Sequence, residues 1–181
     1  MIQPPLTGQI THSRRFEDCI RAGGVALFPA DTVYGLAVDP ENEDAIGRMY
    51  ALKGRPREKR SALMYFSVDA VPDLPERARR LLPGPVTVIL ADGRGIRVPD
   101  LPLLAGVSVP VLQTSANPSG GADPRRLEDV DPAIRAGADL EIDGGELPGT
   151  PSTVVDLSGE DVRIVREGAL PAERVRALLQ R

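Results

Sequence analysis

Five cations crowd into eight residues, KGRPREKR at 53–60, with Glu58 the one acid among them. The chain has twenty arginines but only two lysines, and both lysines, Lys53 and Lys59, fall in this run. Lysine offers a compact, mobile ammonium where arginine offers a rigid planar fork, so the two are not interchangeable. The surrounding protein carries 22 basic against 26 acidic residues, net −4. The run is therefore a local positive field on a mildly acidic body, suited to an anionic ligand and above all to phosphate. Taken alone, such a run is more often a solvated charged loop.

Three turns shift that balance. FPADTVYGL places Asp31 and Thr32 directly after an apolar stretch, with Gly35 permitting close backbone passage. PGPVT, residues 83–87, is a rigid turn that delivers Thr87 at the start of a strand, and TSANPSGG presents Thr114, Ser115, Asn117 and Ser119. Each turn read singly has a local explanation, in which a hydroxyl or amide bonds its own backbone. Read with the cationic run, they describe a site of hydroxyls, one amide and several cations, which binds a polar anion without a side chain of unusual pKa. Other sites are missing: there is no GxxxxGK[ST] loop, no GxGxxG after a strand and no GxSxG elbow. One histidine and one cysteine make a zinc centre untenable, so no metal ligand set is expected from the protein.

The elements that must carry these turns alternate. Ser13 is expected to cap a helix over Arg14 to Ala22, with Phe16 and Ile20 on one face, Cys19 in the core beside them, and Gly23-Gly24 as the stop. The single His12 just precedes it, in a surface or capping role. Residues 25–29 read as a buried strand, and Asn42 caps a helix to about Leu52 on the spacing of Ala45, Met49 and Leu52. Strands follow at 62–68 and 86–90, then in GIRV, VPVLQTSA, ADLEI, STVVDL and VRIVRE, with a short helix in PERARRLL and a closing helix in PAERVRALLQ. The pattern predicts one α/β (α+β) domain over residues 1–181, built on a twisted mixed sheet.

Composition narrows the partners. The apolar fraction is 41% and the charged fraction 27%, as in ordinary globular proteins. Aromatics are 3% with no tryptophan, so no base-stacking surface is evident, and the net acidity argues against broad coating of nucleic acid. The start, MIQPPLTGQI, has no basic segment leading into an apolar one, and no run approaches membrane-spanning length. A cytoplasmic protein without membrane contact is expected.

FPADTVYGL, KGRP, LLPGPVT, IRVP, TSANPSG, STVVDL and IVREGAL occur in this order between residues 28 and 170. In this the chain resembles the YrdC/Sua5 family of threonylcarbamoyl-AMP synthases, in its short, single-domain form. The resemblance implies a large twisted sheet around a positively charged cavity. It also implies a reaction, in which L-threonine, bicarbonate and ATP give threonylcarbamoyl-AMP and pyrophosphate, the first step toward threonylcarbamoyl adenosine in tRNA. By resemblance, Lys53 and Arg55 hold the triphosphate and are the catalytic pair, with Lys59 nearby and Arg166 completing the nucleotide side. Ser115 and Asn117 orient nucleotide and carbamate, Arg97 grips the threonine carboxylate, and Thr32 and Ser152 contact its other groups, with Thr87 and Thr114 close by. Mg²⁺ arrives with ATP, and tRNA-modification proteins are the implied partners. The chain departs from the family's pattern at Ala30, at Arg60-Ser61, at Met64 and Leu101 where histidines are usual, and in a shortened Thr87 to Arg97 connection. Two other classes fit the same residues: a paralogue that binds nucleotide without this activity, and a module holding the phosphates of tRNA or double-stranded RNA, whose binding would weaken steeply with salt.

Overall fold

The computed structural model describes residues 7–56, 58–59 and 61–180; Arg57 and Arg60 of the cationic run, and the first six residues, lie outside the described residues. The frame is one nine-stranded mixed sheet in the order β7-β1-β2-β6-β3-β5-β4-β8-β9. Its strands are β1 (Ala26–Pro29), β2 (Tyr34–Val38), β3 (Ala62–Met64), β4 (Val86–Ile89), β5 (Gly95–Arg97), β6 (Val111–Ser115), β7 (Leu140–Glu141), β8 (Thr153–Asp156) and β9 (Arg163–Arg166). Parallel pairing joins β1 to β7, β3 to β5 and β4 to β8, and the remaining neighbours are antiparallel. Each expected strand is present, though residues 62–68 are strand only through Met64. Beyond it Ser67 accepts a hydrogen bond from the Asp69 N–H and turns the chain into a short 3-10 segment, Val68–Ala70.

Helix α1 runs Thr7–Arg21, so it begins well before Ser13, and His12 lies inside it. Ser13 is no cap: its hydroxyl donates to the Ala105 carbonyl at 2.9 Å, tying α1 to a segment 92 residues away. Glycine does end the helix, with Gly23 at φ 77° and the Gly23 and Gly24 amides returning to Ile20 and Cys19 carbonyls. Cys19 is half-buried against the core, and burial pushes its thiol up to about 11. Helix α2 (Glu43–Lys53) matches its signals: Asn42 accepts from the Ala45 N–H at 3.0 Å, and Gly54 closes it at φ 57°. Helix α3 covers only Glu76–Arg79 of the expected PERARRLL, while the closing α5 (Ala172–Leu179) is as expected. Between them lies α4 (Pro132–Gly137), absent from the sequence pattern above, which Asp131 caps and Pro132 opens in the ordinary way.

Three apolar clusters hold the sheet. Phe16 and Ile20 of α1 pack with Phe28, Ala37, Met64 and Val111 on one face; Met49 and Tyr50 of α2 pack with Leu27, Leu36 and Ile134 on the other. The third joins Ala78 of α3 and Val175 of α5 to Val86, Val88, Ile96 and Val155. Strand alternation then leaves Arg97, Gln113, Thr87 and Val154 on the face that carries Met64, just beyond the cover of α1. That uncovered stretch of sheet is where a cavity opens.

Candidate active site

The cavity is about 170 Å³ and polar. Its floor is buried: Thr32 is 1% exposed, Arg97 4% and Ser152 5%, with the Thr87 and Ser152 hydroxyls 2.9 Å apart. Thr114 and Ser115 form one wall where β6 ends, and half-buried Arg55 and exposed Arg166 stand at the rim. Thus Thr32, Thr87, Arg97, Thr114, Ser115, Ser152, Arg55 and Arg166 meet around one space, although they come from seven separate segments.

Lys53, Asn117 and Lys59 do not line it. Lys53 is 3% exposed and its ammonium donates to the carbonyls of Ser115 and Asn117, both at 2.5 Å, and to Asn117 Oδ1 at 3.0 Å. Its three hydrogens are thus all engaged on the turn after β6, and the Lys53 carbonyl accepts from the Ser119 N–H of the same turn at 2.8 Å. Ser115 Oγ donates to Asn117 Oδ1 at 2.6 Å, and Asn117 Nδ2 donates to the Gly121 carbonyl. Burial, aided by the Arg55 charge, pushes the Lys53 ammonium down to about 8. Here the lysine shapes the turn that presents Ser115, which is a different placement from a direct grip on phosphate. Lys59 is exposed, and its carbonyl accepts from Arg55 Nε at 3.1 Å, while the Arg55 guanidinium lies 5.9 Å from the Tyr50 ring.

The floor also contains residues that spacing did not single out as ligands. Asp31 pairs with Arg97, which donates further to Thr32 Oγ1 at 3.3 Å and Gln113 Oε1 at 3.2 Å. Burial pushes the Asp31 carboxyl up against the pull of Arg97, and burial pushes the Arg97 guanidinium down. Mutual attraction offsets the burial of both groups, helped by the hydrogen bonds of Arg97 to Thr32 and Gln113. Asp123 adds a half-buried carboxylate to the wall. Of the positions that depart from the family's pattern, Ala30 and Met64 are fully buried in the core cluster under α1 and Leu101 packs on it, and these three do not line the cavity, whereas Ser61 does. The short Thr87 to Arg97 connection is a tight hairpin, in which the Gly93 N–H donates to the Leu90 carbonyl and the Leu90 N–H to the Arg94 carbonyl.

The rim on the Arg166 side depends on one hydroxyl. Thr153, 0% exposed, donates from Oγ1 to the Leu170 carbonyl at 2.5 Å and accepts from the Gly168 and Leu170 amides at 2.9 and 3.0 Å. Gly168 lies so close to the Pro151 carbonyl that a methyl group there would come within 2.1 Å of it. This staple holds residues 167–171 against Ser152, whose carbonyl accepts from Arg166 at 2.7 Å. Thr153→Val, which keeps the shape and removes the hydroxyl, is expected to cost about 2 kcal/mol in urea titration and to weaken nucleotide binding, while Thr153→Ser retains both.

The sequence profile of the Sua5, YciO and YrdC family, described as telomere recombination, matches residues 18–168. The chain belongs to this family. It is 36% identical over 171 residues to the threonylcarbamoyl-AMP synthase of Stutzerimonas stutzeri, a match covering 80% of this chain and 92% of that one. It is 29% identical over 187 residues to the enzyme of the same name from Bacillus subtilis, covering 88% of this chain but 54% of the relative. The crystal structure of Pyrococcus abyssi Sua5 complexed with L-threonine superposes with a TM-score of 0.82 at 30% identity, over 92% of this chain and 56% of that one. The chain thus spans most of one synthase and about half the length of the other two members of the Sua5, YciO and YrdC family.

Proposed function

We propose that this chain joins L-threonine, bicarbonate and ATP into threonylcarbamoyl-AMP and pyrophosphate. The observation that carries the reading is the polarity gradient of the cavity: two arginines at the rim, hydroxyls and a charge-neutral Asp31–Arg97 pair at the floor. A triphosphate fits the rim and a small amino acid the floor. At about 170 Å³ the cavity is too small to enclose nucleotide and amino acid together, since pockets that bury a drug-sized ligand run to about 300–1,000 Å³. The phosphates therefore enter and the base stays at the mouth.

The chemistry follows from that placement. Threonine's amine attacks bicarbonate carbon and water leaves, giving a carbamate; a carbamate oxygen then attacks the α-phosphorus, and the bond to the bridging β-phosphate oxygen breaks as pyrophosphate departs. This is adenylyl transfer, and it needs positioning and charge stabilisation without a covalent enzyme intermediate. Arg55 and Arg166 hold the phosphates, Ser115 orients the reacting end, Lys53 and Asn117 fix Ser115, and Thr32 and Ser152 meet the amino acid. Among the described residues no group of three or more His, Cys, Asp or Glu could hold a metal ion. Asp123 and the phosphate oxygens fit Mg²⁺ carried in by ATP, where the ion would neutralise phosphate charge. The adenylate would pass to proteins that transfer the threonylcarbamoyl group to tRNA. No helix among the described residues is long and apolar enough to cross a membrane.

Incubating the protein with ATP, Mg²⁺, bicarbonate and labelled threonine should release pyrophosphate and form a labelled adenylate only when threonine and bicarbonate are both present. Threonine-independent pyrophosphate release, or ATP binding without turnover, refutes this assignment.

A further inference from the structure

Gln113 sits in the middle of β6, 4% exposed, with its side chain on the cavity floor beside Arg97. Its orientation is fixed by chemistry. Arg97 has donors only, so the end of the Gln113 amide turned toward it must be the carbonyl, as the 3.2 Å bond from the guanidinium to Oε1 requires. The NH₂ end therefore points away from Arg97. It lies across the bare Cα of Gly35, where a methyl group would come within 2.6 Å of Nε2. Gly35 is thus the residue that makes room for the amide. Nε2 has no hydrogen-bond partner among the described residues, and it is not among the fully buried polar atoms that lack one, so it opens on the cavity.

A clamped amide that shows two N–H groups to a polar cavity recognises an oxygen acceptor. Arg97 contributes less net charge than its type suggests, because Asp31 neutralises it within the floor. We propose that Gln113 is a specificity-determining residue of this chain, donating from Nε2 to the carboxylate of the acceptor amino acid. The inference rests on the synthase reading for the identity of that acceptor. It assigns carboxylate selection to a neutral donor placed on a charge-balanced floor, and leaves the phosphates to the rim.

Gln113→Glu tests it, because the substituted carboxylate keeps the size of the side chain and its contact with Arg97, with urea titration reporting what the added charge costs the fold and the uncharged Gln113→Ala as a second variant. The expected result is a threonine Kd, read by titration calorimetry, weakened about tenfold or more, since a hydrogen bond to a charged group is replaced by repulsion, with the Kd for ATP unchanged. Threoninamide, which lacks the negative charge, should lose far less affinity, and Gln113→Ala should weaken threonine without reversing that preference. Equal threonine affinity in all three proteins, or equal losses for threonine, threoninamide and ATP, overturns the proposal. The synthase reading fails separately: a wild-type protein that binds threonine but yields no threonine-dependent adenylate refutes the activity, while the calorimetric comparison still decides the role of Gln113. A wild-type protein that does not bind threonine refutes both.

Discussion

Asp31→Asn is expected to destabilise the protein by about 3–5 kcal/mol, because it leaves the Arg97 charge buried without its counter-ion. Arg97 is 4% exposed and the Asp31 side chain 9%, so water cannot take the place of the lost partner. Arg97 Nε and Asp31 Oδ2 already lack hydrogen-bond partners, which leaves the pair little reserve. Set against a domain stability of about 5–15 kcal/mol, the loss moves the urea midpoint far enough to be unmistakable. Arg97→Gln alone should cost a comparable amount, for the opposite reason: a carboxylate that burial already disfavours is left uncompensated. The double variant, Asp31→Asn with Arg97→Gln, removes both charges and should be more stable than either single one, yet have no threonine-dependent activity. Additive losses in that cycle would show that the two charges are not energetically one unit.

Lys53→Met should be nearly as damaging, and to the fold as well as to the reaction. The ammonium satisfies the carbonyls of Ser115 and Asn117 in a buried place, and a thioether satisfies neither. At about 1–3 kcal/mol for each abandoned acceptor, a loss of about 3 kcal/mol follows, or a fall in Tm of about 6–12 °C for a chain of this size. Adenylate formation should cease, because the turn that presents Ser115 is no longer held. The same geometry gives the wild type a pH signature. With the ammonium pushed down to about 8, deprotonation removes one of three engaged hydrogens, so adenylate formation should fall as pH rises through about 8. A rate that keeps climbing to pH 10 would exclude a charged Lys53 from the working enzyme.

How far the chain could be read in advance depended on the distance over which each residue acts. The α2 helix was legible at both ends because Asn42 and Gly54 act within four residues of themselves. The start of α1 is not legible in the same way, because the Ser13 hydroxyl, which has the chemistry of a local cap, is engaged by Ala105. α4 carries a local signal of the same kind as Asn42 in Asp131-Pro132, but its six residues are too few to show a helical apolar period. The motifs identified most of the cavity lining, yet the partners of those residues were hidden. Gln113 meets Arg97 only because β6 and β5 both pair with β3, and nothing within a few residues of Gln113 marks it as a floor residue. Lys53 was legible as an unusual cation. Its direction was not, since its three acceptors lie more than sixty residues further along the chain.

The parallel pairing of β4 with β8 has a consequence for the protein as it is made. Thr87 waits some 65 residues for Ser152, and the Arg166 rim is fixed only when Leu170 reaches Thr153. A chain emerging from the ribosome can pair β1 with β2 and bury α2 early, while its cavity still lacks a side. Competence therefore arrives only once residues 152–170 have joined the sheet, and such distant pairings also make for slow folding. Until then the phosphate site lies open on the β8 side, and ATP meets an unwalled surface in place of an enclosure.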